Sequence, residues 1–393
     1  MSPSNNPAHH ETVSLEALRS GHLDETQQRR LFEQMMLAWS EAAADAVAQE
    51  RLFEVADHLS YRLLNEQRHA EAREVAQQAL RAGRDAALLH TLALAEHALG
   101  ESASAMTHLE QALQTLGEAE NAAMRGDMLE QLSNMQHAQG QALRAIQSLE
   151  RAAEQLRAAN DMQSYIRCKI QLAKRTHELG DAPQSSEHWL DILAFARAPE
   201  NAKAFSEYAA RALLQLAELA REGENPVMEM SLRREALDVL AQAGMRSELS
   251  KTLFQIARSE NQRETMWQAV WLMLSSTYDF EGLINAHAWL FMREDQKTDT
   301  DASLLAAAVW AAIESVPDEK LSLDIPRQAR LKRLALSHLF TCARLQGVHE
   351  TEIVAWMEHE KLRREDDVVQ RMLKHIETML GTSAWLFDKE NIK

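Results

Sequence analysis

Three stretches of the chain repeat one another at a spacing of forty residues, and this periodicity limits the fold more than any other feature. His97-Ala98-Leu99-Gly100, His137-Ala138-Gln139-Gly140 and His177-Glu178-Leu179-Gly180 lie in register. Upstream, Leu92-Ala93, Leu132-Ser133 and Leu172-Ala173 keep the spacing. Downstream it is kept by Ala105, Ala145 and Ser185, by Leu109, Leu149 and Trp189, and by Ala112, Ala152 and Ile192. Leu89, Leu92 and Ala93 fall at i, i+3 and i+4, a single stripe on a helix. Gly100 closes that helix, where a positive φ suits glycine. Ala105, Leu109 and Ala112 mark a second helix, and the small residues let the two approach closely. A lone helix pair cannot bury both of its faces, so each pair must stack on the next.

The pattern extends in both directions. An earlier unit carries Ala56, Leu59, Ser60, Ala72, Ala76 and Ala79. After Pro199, Leu213, Leu216, Ala217 and Ala220 open another, whose second helix is expected over Met230–Gln242. Leu253, Ile256, Ala257, Ala269 and Met273 form the next. Pro183 and Pro226 are expected in turns within repeats, and Pro199, Pro317 and Pro326 between helices or repeats. Only 12 glycines and 7 prolines interrupt 393 residues, as long helices require.

This alternation of large and small residues with a glycine at the turn resembles the tetratricopeptide repeat (TPR) over residues 51–280. The period of 40 exceeds the usual one of about 34, and the aromatic positions often hold Leu, Ala or Gln. Long variants occur in cell-polarity adaptors, kinesin light chains, Rap-type regulators and the sensor domains of maltose-regulon activators. The resemblance implies an all-α fold, a right-handed α-α superhelix of stacked antiparallel helix pairs. Residues 1–12 are expected to be disordered and 13–50 to form capping helices, with Asp24 as an N-cap. Residues 281–393 read as degenerate helical repeats ending in a capping helix from Asp366 to Leu380.

The resemblance also implies a concave groove lined by the first helix of each repeat. One column is His97, His137, His177 and Arg221. A second is Leu94, Asn134, Lys174, Glu218 and Arg258, and a third Asp127, Arg167, Arg211 and Lys251. Asn134 matches the groove asparagine that bonds a bound peptide's backbone in many relatives. The expected binding residues are thus His97, Asn134, His137, Arg167, Lys174, His177, Arg211, Arg221, Lys251 and Arg258. Such cations would hold an acidic peptide, a carboxylate or a phosphate. The competing reading pairs them with Glu178, Glu218 and Glu222 on a solvated face.

Composition narrows the classes of function. A net charge of −17, from 42 basic and 59 acidic side chains, opposes binding to nucleic acid or anionic membrane. Two distant cysteines, Cys168 and Cys342, suit a reducing, cytoplasmic setting. The apolar run Leu304–Ile313 is too short to span a bilayer and is expected in a buried helix. Six of eight tryptophans follow residue 266, either as core filling or as an aromatic surface. His338 and Cys342 have metal-compatible spacing on one helix face, but no partner pair is evident. No metal or other cofactor is expected. Phosphate-loop, HExxH and GxSxG patterns are absent from the sequence. The expected function is therefore a non-enzymatic protein- or peptide-binding scaffold, an adaptor, chaperone or regulator, with homo-oligomers left open. One alternative is a peptide-sensing regulator resembling the Rap type, with residues 13–50 as its effector segment. A metal-dependent enzyme is the second.

Overall fold

The computed structural model describes residues 17–20, 23–41, 45–117, 121–277, 279–291, 299–315, 325–360, 368–381 and 385–387. The expectations for residues 1–12, for Pro317 and for the start of the last helix at Asp366 lie outside them. The described residues are helices and turns, with no strand among them. No helix among them is long and apolar enough to cross a membrane. The chain forms two compact units, Met1–His188 and Trp189–Lys393.

Unit 1 contains α1 (Glu25–Glu41), α2 (Ala46–Asn65), α3 (His69–Ala79), α4 (Ala86–Ala98), α5 (Ser102–Thr115), α6 (Ala122–Ala138), α7 (Ala142–Ala158) and α8 (Met162–Glu178). It ends within α9 (Ala182–Arg197). The repeated turn has one chemistry. Gly100, Gly140 and Gly180 hold φ of 84°, 73° and 82°. Their N–H groups donate to His97, His137 and His177 carbonyls at 3.0, 2.9 and 2.8 Å. The next residues, Glu101, Gln141 and Asp181, donate to the carbonyls of Glu96, Gln136 and Thr176 at 2.8, 2.9 and 3.0 Å. This paired closure satisfies the last carbonyls of the first helix and reverses the chain.

The small-residue columns face each other across these hairpins. Ser133 donates through Oγ to the Ala145 carbonyl, and Ser185 to that of Ala173 at 2.7 Å. A hydroxyl on one helix can reach the backbone of the next only if nothing larger separates them. Bonds between Glu96 and His108 (2.7 Å) and between Ser148 and Gln136 (2.8 Å) recur at the same twelve-residue separation, and helices in contact across a turn as short as that between Ala138 and Ala142 must run antiparallel.

The beginning of unit 1 is sealed by α1. Asp24 Oδ1 accepts from the Gln27 N–H at 2.8 Å, and Gln27 Oε1 accepts from the Asp24 N–H at 2.9 Å, a reciprocal cap. Leu18, Leu31, Phe32 and Met35 are buried in one core with Leu52, Leu59 and Val75. Glu25 and Arg29 of α1 pair with Arg68 and Glu71 at the start of α3. The Arg68 and Arg29 guanidiniums hold the Glu25 carboxyl down at about 2.

Unit 2 continues from α9 with α10 (Ser206–Glu222), α11 (Pro226–Gln242), α12 (Arg246–Glu260), α13 (Arg263–Leu272) and α14 (Phe280–Phe291). It ends with α15 (Thr300–Ser315), α16 (Ile325–Leu345), α17 (Glu350–Glu360) and α18 (Val368–Leu380). The second helix expected from Met230 begins at Pro226, because Asn225 caps it by accepting from the Met228 N–H at 3.1 Å. Pro183 and Pro326 also stand in the first turn of helices, where a missing N–H is harmless. The turns after α10 and α12 use left-handed Glu224 and Asn261 in place of glycine. Arg211 and Lys251 nonetheless occupy equivalent exposed places, each flanked by buried pairs on both sides.

Most of the apolar run Leu304–Ile313 is buried in α15, with Leu305, Val309, Trp310 and Ile313 all in the interior. Trp267, Trp271 and Trp310 are core residues. Trp385 packs edge-on against Trp271 with ring centroids 5.2 Å apart, and the Leu386 N–H donates to Gln268 at 2.8 Å. Core filling thus accounts for Trp267, Trp271 and Trp310, while Trp289, Trp356 and Trp385 are half-buried.

Gly126 shows how tightly the α6–α7 pair is packed. A Cβ there would lie 2.5 Å from Leu156 Cγ. We expect Gly126→Ala to lower the unfolding free energy by about 1–3 kcal/mol through overpacking. Helix propensity alone would raise it by about 1 kcal/mol. Urea denaturation followed by circular dichroism gives the sign.

Candidate functional site

In unit 1 the first helices α4, α6 and α8 present the expected columns on their exposed side. His97, His137, His177, Asn134, Lys174 and Arg167 are all exposed. Beneath them runs a polar ladder that joins each first helix to the next. Thr91 donates to Asp57 Oδ1 at 3.2 Å, and His90 Nε2 lies 2.8 Å from Gln131 Oε1. Glu130 receives Arg167 through three bonds, the shorter two 2.9 Å from Nε to Oε1 and 2.8 Å from Nη2 to Oε2. Gln171 Nε2 donates to the same carboxylate at 2.6 Å. Arg175, nearly buried, donates to Asn134 Oδ1 at 2.6 Å, to Gln171 Oε1 at 3.2 Å and to Ser133 Oγ.

The ladder changes what this face can offer. Arg167 is fastened to Glu130, and this bond raises the guanidinium's proton affinity further. The Asn134 oxygen serves Arg175, so its amide N–H groups are what remains for a ligand. Sequence reading missed Glu130 and Arg175. Their signal was available: Glu130 precedes Arg167 and Gln171 by about one repeat, and Asn134 stands in the same relation to Arg175. Of the cations expected in unit 1, Lys174 has no ion pair among the described residues. His97 lies 3.5 Å from Ser102 Oγ, and His137 lies 3.7 Å from a Glu178 oxygen.

The same face is acidic where it begins. A cleft of about 570 Å³ there is lined by Glu50, Glu54, Asp57 and Asp85, with Arg19 and Arg84. Arg19 is bound to Glu54 by two bonds, the longer 2.9 Å. Burial raises the Asp57 carboxyl, and burial followed by the charge of Glu130 raises that of Asp127. The face thus runs from acidic beside α2 to cationic at Lys174 on α8; of the acidic residues in unit 1, the columns expected from the sequence include Asp127 and not the cleft beside α2.

In unit 2, Arg211 pairs with Glu207 one turn away, and Arg221 pairs with Glu218. Glu218 also accepts from the buried Arg233 of α11 at 3.3 Å. Lys251 is exposed, and Arg258 lies 5.7 Å over the Phe254 ring. Exposed pairs of this kind contribute about 0–1 kcal/mol, so a ligand carboxylate can displace them.

His338 and Cys342 do meet a third group. His287 stacks on His338 with ring centroids 4.8 Å apart, and its Nε2 lies 3.9 Å from Cys342 Sγ. The same Nε2 lies 2.9 Å from the Ala302 carbonyl, while Nδ1 is buried without a partner. No group of three or more His, Cys, Asp or Glu among the described residues has an arrangement able to hold a metal. Cys168 is buried too, and burial pushes its thiol well above the usual range, away from the reactive thiolate.

No family model matches the chain, and no curated protein matches it. Among solved structures, the chain is similar to the C-terminal part of a TPR repeat-containing protein from Cytophaga hutchinsonii. There the identity is 13% and the TM-score 0.46, over 70% of this chain and 98% of that one. It is also similar to the apo form of the quorum sensor NprR from B. thuringiensis. That match has 13% identity and TM-score 0.39, over 84% of this chain and 97% of that one. For the apo form of RapI the values are 15% and 0.36, over 66% and 97%. Likenesses this weak assign no residue a role.

Two outcomes test the site as described. Asn134→Ala removes an acceptor from a nearly buried guanidinium and should cost about 1–3 kcal/mol of stability. An Asn134 that served ligand alone would leave stability within about 0.5 kcal/mol of wild type. Burial also holds His287 down at about 4. The unfolded chain therefore takes up this proton first, and stability falls as pH drops from about 6.5 toward 4. Between pH 7 and 5 the loss from His287 is about 2 kcal/mol. Urea titrations at both pH values should show it in wild type and not in His287→Leu. In its helix pairs, turns and register, the chain has a tetratricopeptide-type repeat fold.

Proposed function

We propose that the chain is a non-enzymatic scaffold that binds a peptide segment of another protein along the exposed faces of its first helices. The single observation that supports this most is the exposure of Lys174 and Lys251 on those faces. Neither has an ion pair among the described residues, although acidic side chains outnumber basic ones in the chain. In unit 2, Arg211 and Arg221 are held only by exposed pairs that a ligand carboxylate can replace. Within unit 1 the charge changes sign along the face. A bound segment would therefore be oriented, its acidic part toward Lys174 and any basic part toward Glu50, Asp57 and Asp85.

The role is that of an adaptor or regulator in the cytoplasm, and the partner is a protein with an acidic stretch. A Rap-type sensing regulator would use its N-terminal segment as a separate effector. Here Leu31, Phe32 and Met35 are spent in the core of unit 1, which favours a capping role for that segment.

Selection of a random peptide library on the immobilised full-length protein tests the reading. Asp- and Glu-rich sequences should be enriched. Lys174→Glu should weaken binding of the selected peptides about tenfold, and so should Lys251→Glu for peptides held by unit 2. Enrichment of basic or purely apolar peptides, or indifference to both substitutions, would count against it.

A further inference from the structure

A second polar cavity in unit 1 lies away from the first-helix face and goes beyond the function proposed above. It measures about 530 Å³ and is lined by Glu110 and Gln114 of α5, Arg125 and Gln136 of α6, and Ser148 and Arg151 of α7. Its unusual member is Arg125, only 5% exposed. This guanidinium has no carboxylate partner among the described residues, and its Nε–H is buried with no acceptor. Nη2 donates to the Leu113 carbonyl at 3.2 Å. That bond caps the C-terminus of α5, a reasonable place for a cation. One neutral carbonyl nevertheless cannot balance a full buried charge.

The local field makes the imbalance worse. Arg125 sits in the second turn of α6, near its positive end, and no acidic residue stands in the first turn. Arg151, exposed at the mouth, also has no ion pair among the described residues. Glu110 is exposed and pairs with neither arginine. Gln136 is nearly buried and uses Oε1 to accept from Ser148 at 2.8 Å, which leaves its amide N–H groups as donors.

We infer that this cavity is a binding site for a phosphate group. Arg125 supplies the buried floor and Arg151 the outer charge, with Gln136 as a neutral donor between them. Two unpaired guanidiniums facing a single exposed carboxylate suit a dianion better than a monocarboxylate. The volume exceeds that of the ion alone and leaves room for the remainder of a small phosphorylated ligand.

Isothermal titration of the full-length protein at constant ionic strength tests this, with inorganic phosphate, phenyl phosphate and acetate as probes. Saturable binding of phosphate or phenyl phosphate is expected, with acetate silent. Tighter binding of phenyl phosphate would identify the source as a phosphorylated molecule, and tighter binding of inorganic phosphate as the free ion. Arg151→Gln, at an exposed position, should weaken binding about tenfold or more. Arg125→Met should abolish it. If Arg125→Met loses its helical circular dichroism, Arg151→Gln alone decides. No saturable heat from either phosphate probe, equal binding of acetate, or unchanged affinity in Arg151→Gln would overturn the proposal.

Discussion

The close approach of paired helices through small side chains is the constraint on which the rest of this structure depends. Ser133 against Ala145 and Ser185 against Ala173 bring the helices near enough for a hydroxyl to reach the neighbouring backbone. At that distance the glycine turns close each hairpin without a long loop, and leucines such as Leu109 and Leu149 fill the space between pairs. A larger residue in these columns would part the helices and break the register at which one hairpin stacks on the next. Gly126 extends the principle, since the α6–α7 contact leaves no room for a methyl group.

The same register produces the chemistry of the exposed face. Because equivalent helices recur at nearly constant sequence separation, side chains about one repeat apart meet across first helices. Glu130 therefore finds Arg167 and Gln171, and Asn134 finds Arg175. These bonds join hairpins that apolar packing alone would leave free to slide. They also consume polar groups that a ligand might otherwise use. What remains outward in unit 1 includes Lys174, the Asn134 amide, the three column histidines and the acidic cleft beside α2. The outer groove of α5, α6 and α7 obeys the opposite logic, with Arg125 buried and left without a counter-charge.

Much of the fold was legible in the sequence, because periodic burial leaves a periodic trace. The three glycine turns, the N-cap at Asp24 and the buried helix carrying Leu304–Ile313 could all be read directly. Helix starts at Pro226 and Pro326 were harder, since proline signals both a break and a first turn. The site was legible only as a set of exposed columns. Which cations remain unpaired depends on partners about one repeat away, as with Glu130, and on burial, as with Arg125. Neither shows in local spacing. His287 is similar: it joins His338 and Cys342 from a separate helix, and nothing near it in sequence announces the contact.

The central claim is that partners engage the first-helix faces. Lysine acetylation footprinting of the protein, free and bound to a captured partner, tests it most directly. The account predicts protection of Lys174 or Lys251 in the complex, with Lys203, exposed in the turn before α10, labelled as in the free protein. Full labelling of Lys174 and Lys251 in a saturated complex, with protection at Lys203 alone, would contradict it.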